Sequence, residues 1–289
     1  MKVIRSIKEM QETIKTLKSK IIGFVPTMGY LHEGHTSLMQ EARKSCDIVV
    51  ASIFVNPLQF GPNEDFETYP RDEERDQSIA QDNGVDILFM PSAQEMYPEN
   101  FAISMQIHKR VNALCGQSRE GHFDGVITVL TKLFHIVQPQ KVFFGMKDAQ
   151  QLAIVDSLIT DLNFSIELIG CPTVREADGL AKSSRNVYLS ETEREEAVWL
   201  YRALLHGKQL INEGESNPQV VIQAIENLIK EHTHGRIDYV DILSYPELKP
   251  ISKINEQIII AVAVHFNQAR LIDNLILTPH GDIVEYYKR

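Results

Sequence analysis

Residues 25–35 read VPTMGYLHEGH and connect a predicted strand to a predicted helix. The strand is the apolar run 21–25, and helical periodicity begins at residue 35 and continues to residue 44. A glycine-containing turn between a strand and a helix is how α/β proteins bring backbone N–H groups and the positive end of a helix against phosphates. Gly29 and Gly34 allow the backbone to come close. The stretch therefore predicts an α/β fold with an anion site at this turn.

Two histidines, His32 and His35, stand three residues apart at the entrance of this helix. Residues at this spacing share one helix face, so both rings would point at the same phosphates. Two alternatives remain open from this segment. A His-x-x-His pair can bind zinc, although no third Cys or His lies nearby in the sequence, so no metal ligand is certain. A capping turn with surface histidines is the other alternative.

Apolar strand-like runs alternate with helical patterns from residue 1 to about residue 175. This order is typical of parallel βαβ units. Residues 48–55 are apolar on both faces, which indicates a strand covered on both sides. The other predicted elements are helices over 72–83, 126–137 (ended by Pro139) and 149–160, and strands over 86–90 and 142–144. We expect a doubly wound sheet in a domain of residues 1–175.

The sequence pattern changes after Ser190. Two charge-rich helical stretches, 191–213 and 218–232, are joined by turn-forming residues. Three strand-like segments follow, at 239–243, 258–265 and 269–277. The last two are too close in sequence for a parallel crossover, so antiparallel pairing is predicted. We expect a second, smaller α+β domain over residues 176–289.

Composition limits the classes of function. The 289 residues are 43% hydrophobic and 24% charged, which is ordinary for a globular protein. The 29 Lys and Arg are outnumbered by 39 Asp and Glu, giving a net charge of −10. Nucleic-acid binders hold phosphates with clustered cations, so no nucleic-acid partner is expected. A small anionic substrate would need only a local positive pocket.

The cysteines and the N-terminal stretch favour a cytoplasmic location. Cys46, Cys115 and Cys171 lie far apart, form no CxxC pair and are odd in number, which argues against a disulfide framework. Residues 1–20 lack the apolar centre of a signal peptide, and no apolar run approaches the length of a membrane span. We expect no membrane partner.

A second polar segment, AKSSRN at residues 181–186, lies where the first predicted domain ends. Loops that combine hydroxyl groups with Lys or Arg suit the charge that develops on pyrophosphate, and their mobility lets a site close over ATP. Taken alone, such a loop is more often a solvated linker.

Together the two segments resemble the nucleotidyltransferase superfamily that includes class I aminoacyl-tRNA synthetases, which carries a His-x-Gly-His signature and a downstream Lys/Ser loop. Further motifs are similar to the pantothenate synthetase family over nearly the whole chain. These motifs are SIFVNPLQF (52–60), YPR (69–71), REGHFDGV (119–126), FGMKDAQQL (144–152) and RLIDN (270–274). Two positions depart from the family pattern: Glu120 stands where Pro is usual, and Lys182 where an apolar residue is frequent.

The resemblance implies a Rossmann-like doubly wound parallel sheet with a smaller α+β domain closing over the site. It implies an AMP-forming carbon–nitrogen ligase that uses ATP to condense (R)-pantoate with β-alanine, through pantoyl adenylate, to give pantothenate, AMP and pyrophosphate. The alternative is another small-molecule nucleotidyltransferase of the same superfamily. Mg²⁺ held mainly by ATP phosphates, and a homodimer, are also implied.

The site residues follow from the same resemblance. The catalytic residues are expected to be His32, His35, Lys147 and Arg185, with His35 as the proton donor. Pantoate is expected at Asn56, Gln59 and Gln151, and β-alanine at Gln59. ATP is expected at Met28, Gly29, Tyr30, Leu31, His32, Glu33, Gly34, His35, Gly145, Met146, Lys147, Asp148, Val174, Lys182, Ser183, Ser184 and Arg185.

Overall fold

The computed structural model describes residues 1–62, 64, 66–99 and 101–289, which build two β-sheets with their covering helices. The strands are β1 Lys2–Ile4, β2 Ile22–Thr27, β3 Ile48–Ile53, β4 Ile87–Phe89, β5 Lys141–Gly145, β6 Glu167–Cys171, β7 Arg236–Ser244, β8 Ile258–His265, β9 Arg270–Leu277 and β10 Tyr287–Lys288. The helices are α1 Ile7–Lys15, α2 Glu33–Ser45, α3 Glu73–Asp82, α4 Ala93–Met96, α5 Cys115–Ser118, α6 His122–Val137, α7 Ala149–Asp161, α8 Glu191–Asn212 and α9 Pro218–His232.

The first sheet has the strand order β1-β4-β3-β2-β5-β6-β10. Every pair in it is parallel except β6 with β10, which is antiparallel. Its buried strands carry side chains into two apolar clusters, one on each face. Phe24, Val50 and Phe144 face the cluster formed with α1, α6 and α7, while Val25 and Phe143 face α2 and α3. The sheet is therefore covered on both sides, as apolar strands of the parallel type require.

The chain reverses its direction of travel across this sheet between β2 and β5. Strands β3, β4 and β1 extend the sheet on one side of β2, and β5 and β6 extend it on the other. In doubly wound sheets the crevice beyond the carboxyl ends of the strands at such a reversal is where ligands bind. The stretch 25–35 leaves β2 at this point, and the Met146–Asp148 turn leaves β5 beside it.

The second sheet is antiparallel, in the order β7-β8-β9. One face packs on α8 and α9, with Ile258 and Ile260 in their cluster. The neighbouring residues Ile259 and Ala261 point the other way and belong to the main cluster of the first sheet. The second sheet is thus apolar on both faces and lies against the first part of the chain.

The elements predicted from the sequence agree with the structure to within a few residues, but several others were missed. These are β1, α1, β6 and β10, together with the single-turn helices α4 and α5. Of them, β10 brings residues 287–288 back to the edge of the first sheet. The predicted division of the chain at residue 175 stays a prediction. Within the described part of the chain, no helix combines the length and the apolar character that crossing a bilayer requires.

Candidate active site

A cavity of about 660 Å³ opens at the reversal point and is lined by residues of both sheets. Most residues that the sequence singled out share it. The lining includes Met28, His32, Gly34, His35, Asn56, Gln59, Gly145, Lys147, Asp148, Gln151, Val174, Lys182, Ser183, Ser184 and Arg185. The remaining predicted ATP residues, Gly29, Tyr30, Leu31, Glu33 and Met146, are not part of this lining. The twin histidines, the amide side chains and the 181–186 loop therefore meet around one space.

The turn after β2 is held by a buried carboxylate. Gly29 has a φ of +86°, and a Cβ there would lie 2.9 Å from the Ile53 side chain, so only glycine fits without displacement. The backbone N–H groups of Tyr30 and Leu31 each donate to one oxygen of Asp76, both at 2.7 Å. Burial raises the pKa of Asp76, and the two N–H donors oppose that shift. These two amides are therefore engaged within the turn itself.

The two histidines are fixed in one tautomer by the start of α2. His32 Nδ1 accepts from the N–H of Gly34 at 3.1 Å, and His35 Nδ1 accepts from the N–H of His32 at 3.3 Å. A ring nitrogen that accepts an N–H carries no proton, so the proton of each neutral ring lies on Nε2. The ring centroids are 4.1 Å apart. Both rings therefore present an N–H donor from the same helix entrance.

Both imidazoles are neutral at physiological pH. Burial lowers the pKa of His32 to about 4, helped by the positive charge of Lys147. Burial lowers the pKa of His35 to about 3, and the neighbouring His32 and Lys147 act in the same direction. From the sequence alone, the pKa of His35 could be lowered by the helix dipole or raised by a triphosphate, and the sequence does not decide which effect is larger. Burial has the largest effect on the pKa of both rings and favours the neutral form.

Asn56 orients the side chain of Gln59. Asn56 is 1% exposed, and its Nδ2 donates to Gln59 Oε1 and to the carbonyl of Gly125, both at 3.1 Å. Its Oδ1 accepts from the hydroxyl of Tyr97 at 2.9 Å. Because Gln59 Oε1 is engaged, its NH₂ group lies on the other side, 3.1 Å from the sulfur of Met28 in the cavity lining. Asn56 therefore lines the cavity and also fixes the orientation of the Gln59 amide.

The α6 helix approaches this amide pair at a glycine. A Cβ on Gly125 would lie 2.3 Å from the carbonyl oxygen of Leu58, so the close packing of α6 on the 57–59 turn requires glycine. His122, at the start of the same helix, donates through Nδ1 to the carbonyl of Gln59 at 2.7 Å and faces Arg119 through Nε2 at 3.0 Å. Arg119 also forms an ion pair with Glu64. This chain of contacts joins α6 to the Gln59 turn.

The Lys147 turn is held by the second sheet. Asn274 on β9 is 8% exposed and donates through Nδ2 to the carbonyls of Met146 at 3.1 Å and Lys147 at 2.8 Å. The adjacent Asp273 forms a two-pronged pair with Arg175 at 2.6 and 2.9 Å. The turn after β5 therefore owes its position to a strand more than 100 residues away in sequence.

The 182–185 segment is docked on the first part of the chain. Lys182 Nζ lies 3.3 Å from a carboxylate oxygen of Glu33 and 3.6 Å from one of Glu176. The hydroxyls of Ser184 and Tyr69 are 3.4 Å apart, and the Arg185 guanidinium lies 5.9 Å from the centre of the Tyr69 ring. Lys182 thus lines the cavity as a cation, whereas Glu33 lies outside the lining and forms an ion pair with Lys182.

Several cavity residues were given no role by sequence reasoning. His122, Tyr239, His265 and Arg270 line the cavity, and Asn274 and Asp273 do so from β9. The motifs REGHFDGV and RLIDN contain four of these six residues and were the available signal. Tyr239 and His265 lie in plain strand patterns that carry no such signal. The described residues include no group of three or more His, Cys, Asp or Glu side chains arranged for a metal ion.

The parallel sheet and the position of the cavity place the chain among doubly wound α/β proteins, which take their ligands in this crevice. The comparisons narrow that class. The chain belongs to the pantoate–β-alanine ligase family, whose model matches residues 2–276. A pantothenate synthetase of Geobacillus sp. (strain WCH70) is 59% identical over 277 residues, which are 95% of this chain and 98% of that protein.

Solved structures agree with the family assignment. A pantothenate synthetase from Thermus thermophilus superposes with a TM-score of 0.90 at 47% identity, covering 95% of this chain and 99% of that one. A pantoate–β-alanine ligase from Francisella tularensis, complexed with β-γ ATP and β-alanine, has a TM-score of 0.79 at 35% identity, covering 96% and 97%. The expected α/β class, with its small second sheet, is confirmed.

Proposed function

We propose that this chain uses ATP to join (R)-pantoate to β-alanine, which is the activity for which its family is named. The observation that carries the proposal is that the twin histidines, Lys147, Ser184 and the amides of Gln59 and Gln151 line one cavity. Another nucleotidyltransferase would share the histidine turn but would have no need of the two glutamines. The chain is on this account an AMP-forming carbon–nitrogen ligase.

The reaction proceeds in two steps. A carboxylate oxygen of pantoate attacks the α-phosphorus of ATP, the bond to pyrophosphate breaks, and pantoyl adenylate forms. The amine of β-alanine then attacks the carbonyl carbon, the carbon–oxygen bond to AMP breaks, and the amine loses a proton. No nucleophilic side chain is needed, so catalysis consists of orientation and charge stabilisation.

Each side chain has a role that its chemistry supports. The Nε2–H groups of His32 and His35 donate hydrogen bonds to the phosphates, and the Lys147 ammonium and Arg185 guanidinium offset the charge that builds on pyrophosphate. Ser183 and Ser184 add hydroxyl donors. The amide of Gln59, set by Asn56, and that of Gln151 bind pantoate without adding a charge that would repel its carboxylate. β-Alanine takes the Gln59 side of the cavity.

The remaining ATP residues act from behind the lining or through the backbone. Residues 29–31 and Met146 shape the two turns. Glu33 forms an ion pair with Lys182. The backbone comes close to the nucleotide at Gly34, Gly145 and Val174, which line the cavity. Asp148 is a carboxylate of the lining and directly follows Lys147. One carboxylate beside a polyphosphate fits Mg²⁺ that is bound mostly by phosphate oxygens and water, and the ion would supply charge neutralisation.

The proposal extends to the second part of the chain, the cellular compartment and the oligomeric state. The second part, residues 176–289, closes over the cavity, which its β8 and β9 strands already line. The three described cysteines are free thiols, which suits a reducing cytoplasm. A homodimer fits the predominance of twofold assemblies, and light scattering on the purified protein measures it directly.

An omission experiment tests the function. The purified chain is incubated with ATP and Mg²⁺, with pantoate and β-alanine omitted in turn, and pyrophosphate and AMP are counted. We expect pyrophosphate release to require pantoate, and AMP release to require β-alanine in addition. Turnover with another acid and none with pantoate would reject the proposal in favour of a different nucleotidyltransferase.

A further inference from the structure

Gln150 is a buried glutamine in the lining of the cavity, and the proposed mechanism gives it no role. It lies in the first turn of α7, directly before Gln151, and is 6% exposed. Its Nε2 donates both hydrogens to backbone carbonyls, those of Arg110 and Ala113, each at 2.8 Å. Its Oε1 is buried and accepts no hydrogen bond from the described residues. Burying an oxygen without a hydrogen bond costs free energy. The contribution of this side chain therefore lies in the two hydrogen bonds that its NH₂ group donates.

The segment held by this amide, residues 110–114, is strained at both ends. Arg110 has a φ of +66° and Leu114 a φ of +49°, a region that residues with a Cβ rarely adopt. Conformations of this kind persist only where the surroundings hold them, and they gather at functional sites. The guanidinium of Arg110 adds a second hold on α7, because it donates to the carbonyl of Ala153 and to Asp156.

The strained segment leads directly into the wall of the cavity. Leu114, Cys115, Ser118 and Arg119 line it. Gly116 packs so closely that a Cβ there would lie 2.0 Å from the carbonyl oxygen of Val111, so α5 lies directly against the segment.

The far end of this wall reaches the proposed pantoate amides. Arg119 faces His122 at 3.0 Å, and His122 donates to the carbonyl of Gln59 at 2.7 Å. Gln150 therefore connects the helix that carries Gln151 to the wall that contacts the Gln59 turn.

Resting on the proposed function, we propose that Gln150 is a positioning residue that holds the strained 110–114 segment, so that the wall from Leu114 to Arg119 closes the pantoate side of the cavity. The nucleotide side is built from the β2 turn and the Lys147 turn, and within the described residues the side-chain hydrogen bonds of Gln150 go to neither of them. Loss of the amide should thus weaken pantoate binding selectively.

The test is the Gln150→Met variant, which keeps the length of the side chain and removes both donors. We expect KM for pantoate to rise by at least about tenfold, because a misplacement of about 1 Å can cost as much as about 100-fold, with KM for ATP within about twofold of the wild-type value. The matched control is Gln140→Met. Gln140 also bonds two backbone groups, accepting from Ile22 N–H at 2.8 Å and donating to the Gln138 carbonyl at 3.2 Å, but at the opposite end of β5. Its KM values should not change.

KM does not depend on the fraction of folded protein, so a loss of stability alone cannot imitate the expected result. An unchanged KM for pantoate in Gln150→Met, or an equal rise in KM for ATP, would overturn the positioning role. If that variant does not fold, Gln150→Glu replaces it. Its protonated carboxyl keeps one donor, so its KM for pantoate should fall as the pH is lowered, and a flat profile would equally overturn the role. A wild-type chain that needs no pantoate to release pyrophosphate would refute the proposed function instead.

Discussion

At the scale of single residues, the site is governed by which nitrogen of each imidazole is already occupied. His32 and His35 both engage Nδ1 with backbone N–H groups at the start of α2. Their pKa values of about 4 and about 3 keep both rings neutral, so each offers a hydrogen bond without giving up its proton in the resting state. On the proposed function, the neutral ring of His35 acts as a hydrogen-bond donor to ATP rather than as the proton donor that the resemblance implies.

The His35→Ala variant should lose at least about 10² in kcat and keep its fold, because one preorganised donor to the phosphates is removed. The measurement is pantoate-dependent pyrophosphate release, with circular dichroism to check the fold. Thr36→Ala is the matched control, since Thr36 neighbours His35 on the same helix and only caps the carbonyl of Glu33 at 3.2 Å. Near-normal turnover in His35→Ala would show that the role is misplaced.

The buried His122 predicts a dependence of stability on pH. Burial, then the charge of Arg119, lowers its pKa from 6.5 to about 4 in the folded chain. Between these values the unfolded chain binds more protons, so the free energy of unfolding rises with pH and is lost as the pH falls from 6.5 toward 4. From pH 7 to pH 5 this one group should cost about 2 kcal/mol.

Urea unfolding at pH 5 and pH 7 measures this effect. The His122→Asn variant lacks the titrating ring, so its free energy of unfolding should fall by about 2 kcal/mol less than that of the wild type over the same interval. An identical pH dependence in the two proteins would mean that His122 titrates normally.

At the scale of elements, the turn between β2 and α2 depends on a contact with α3. The sequence did not predict that α3 lies beside this turn. Asp76 on α3 supplies one carboxylate oxygen to each of two consecutive N–H groups of the turn. An acidic side chain on a predicted surface helix is ordinarily solvated. Its burial at 1% exposure follows from the packing of α3 beside the turn.

The Asp76→Asn variant should lower both stability and activity. Asparagine has one acceptor oxygen and turns an NH₂ group toward the second amide, which leaves a buried N–H without a partner at a cost of about 1–3 kcal/mol. We expect kcat/KM for ATP to fall at least about tenfold because the His32 turn moves. Asp82→Asn, at the exposed end of the same helix, is the control. Wild-type kinetics in Asp76→Asn would mean that the turn holds itself.

The elements that sequence reasoning predicted share one property. Strands such as 258–265 and helices such as 218–232 carry a regular apolar pattern over eight or more residues, and both match the structure in their bounds. The missed strands β1 and β10 have three and two residues, too few to show a period. Strand β6 is longer, but its sequence ELIGC includes an interior glycine, which is depleted in strands.

The site was predictable to the extent that its residues lie in motifs. The histidine turn, the two glutamines and the Lys147 turn were named from the sequence, and the structure brings them to one cavity. The supporting contacts were not predictable. They join segments that are distant in sequence, and no local pattern encodes such pairs. Examples are the contact of Asn274 with the Lys147 turn and that of Asn56 with Gly125.

At the scale of the whole molecule, one buried ion pair joins the 170s segment to the second sheet. Arg175 and Asp273 are 16% and 4% exposed at their side chains, and the Arg175 guanidinium lies 3.7 Å from the centre of the Tyr201 ring. Because Asp273 precedes Asn274, this pair also fixes the residue that holds the Lys147 turn. Stability and site geometry are therefore coupled across the two sheets.

The Asp273→Ala variant should lower the free energy of unfolding by about 3–5 kcal/mol, since it leaves a buried guanidinium without its carboxylate. The double variant Asp273→Ala with Arg175→Met should recover part of that loss. Denaturant unfolding of the wild type, both single variants and the double variant measures the coupling. Strictly additive effects would show that the pair contributes no interaction of its own.

The central claim is that pantoate is activated by attachment of its own carboxylate oxygen to the α-phosphorus of ATP. The direct measurement uses pantoate labelled with ¹⁸O in both carboxylate oxygens, with β-alanine and ATP, and mass spectrometry of the AMP formed. Attack through pantoyl adenylate predicts that each AMP carries one ¹⁸O from pantoate. Unlabelled AMP, with the label in pyrophosphate or in free phosphate, would contradict the account.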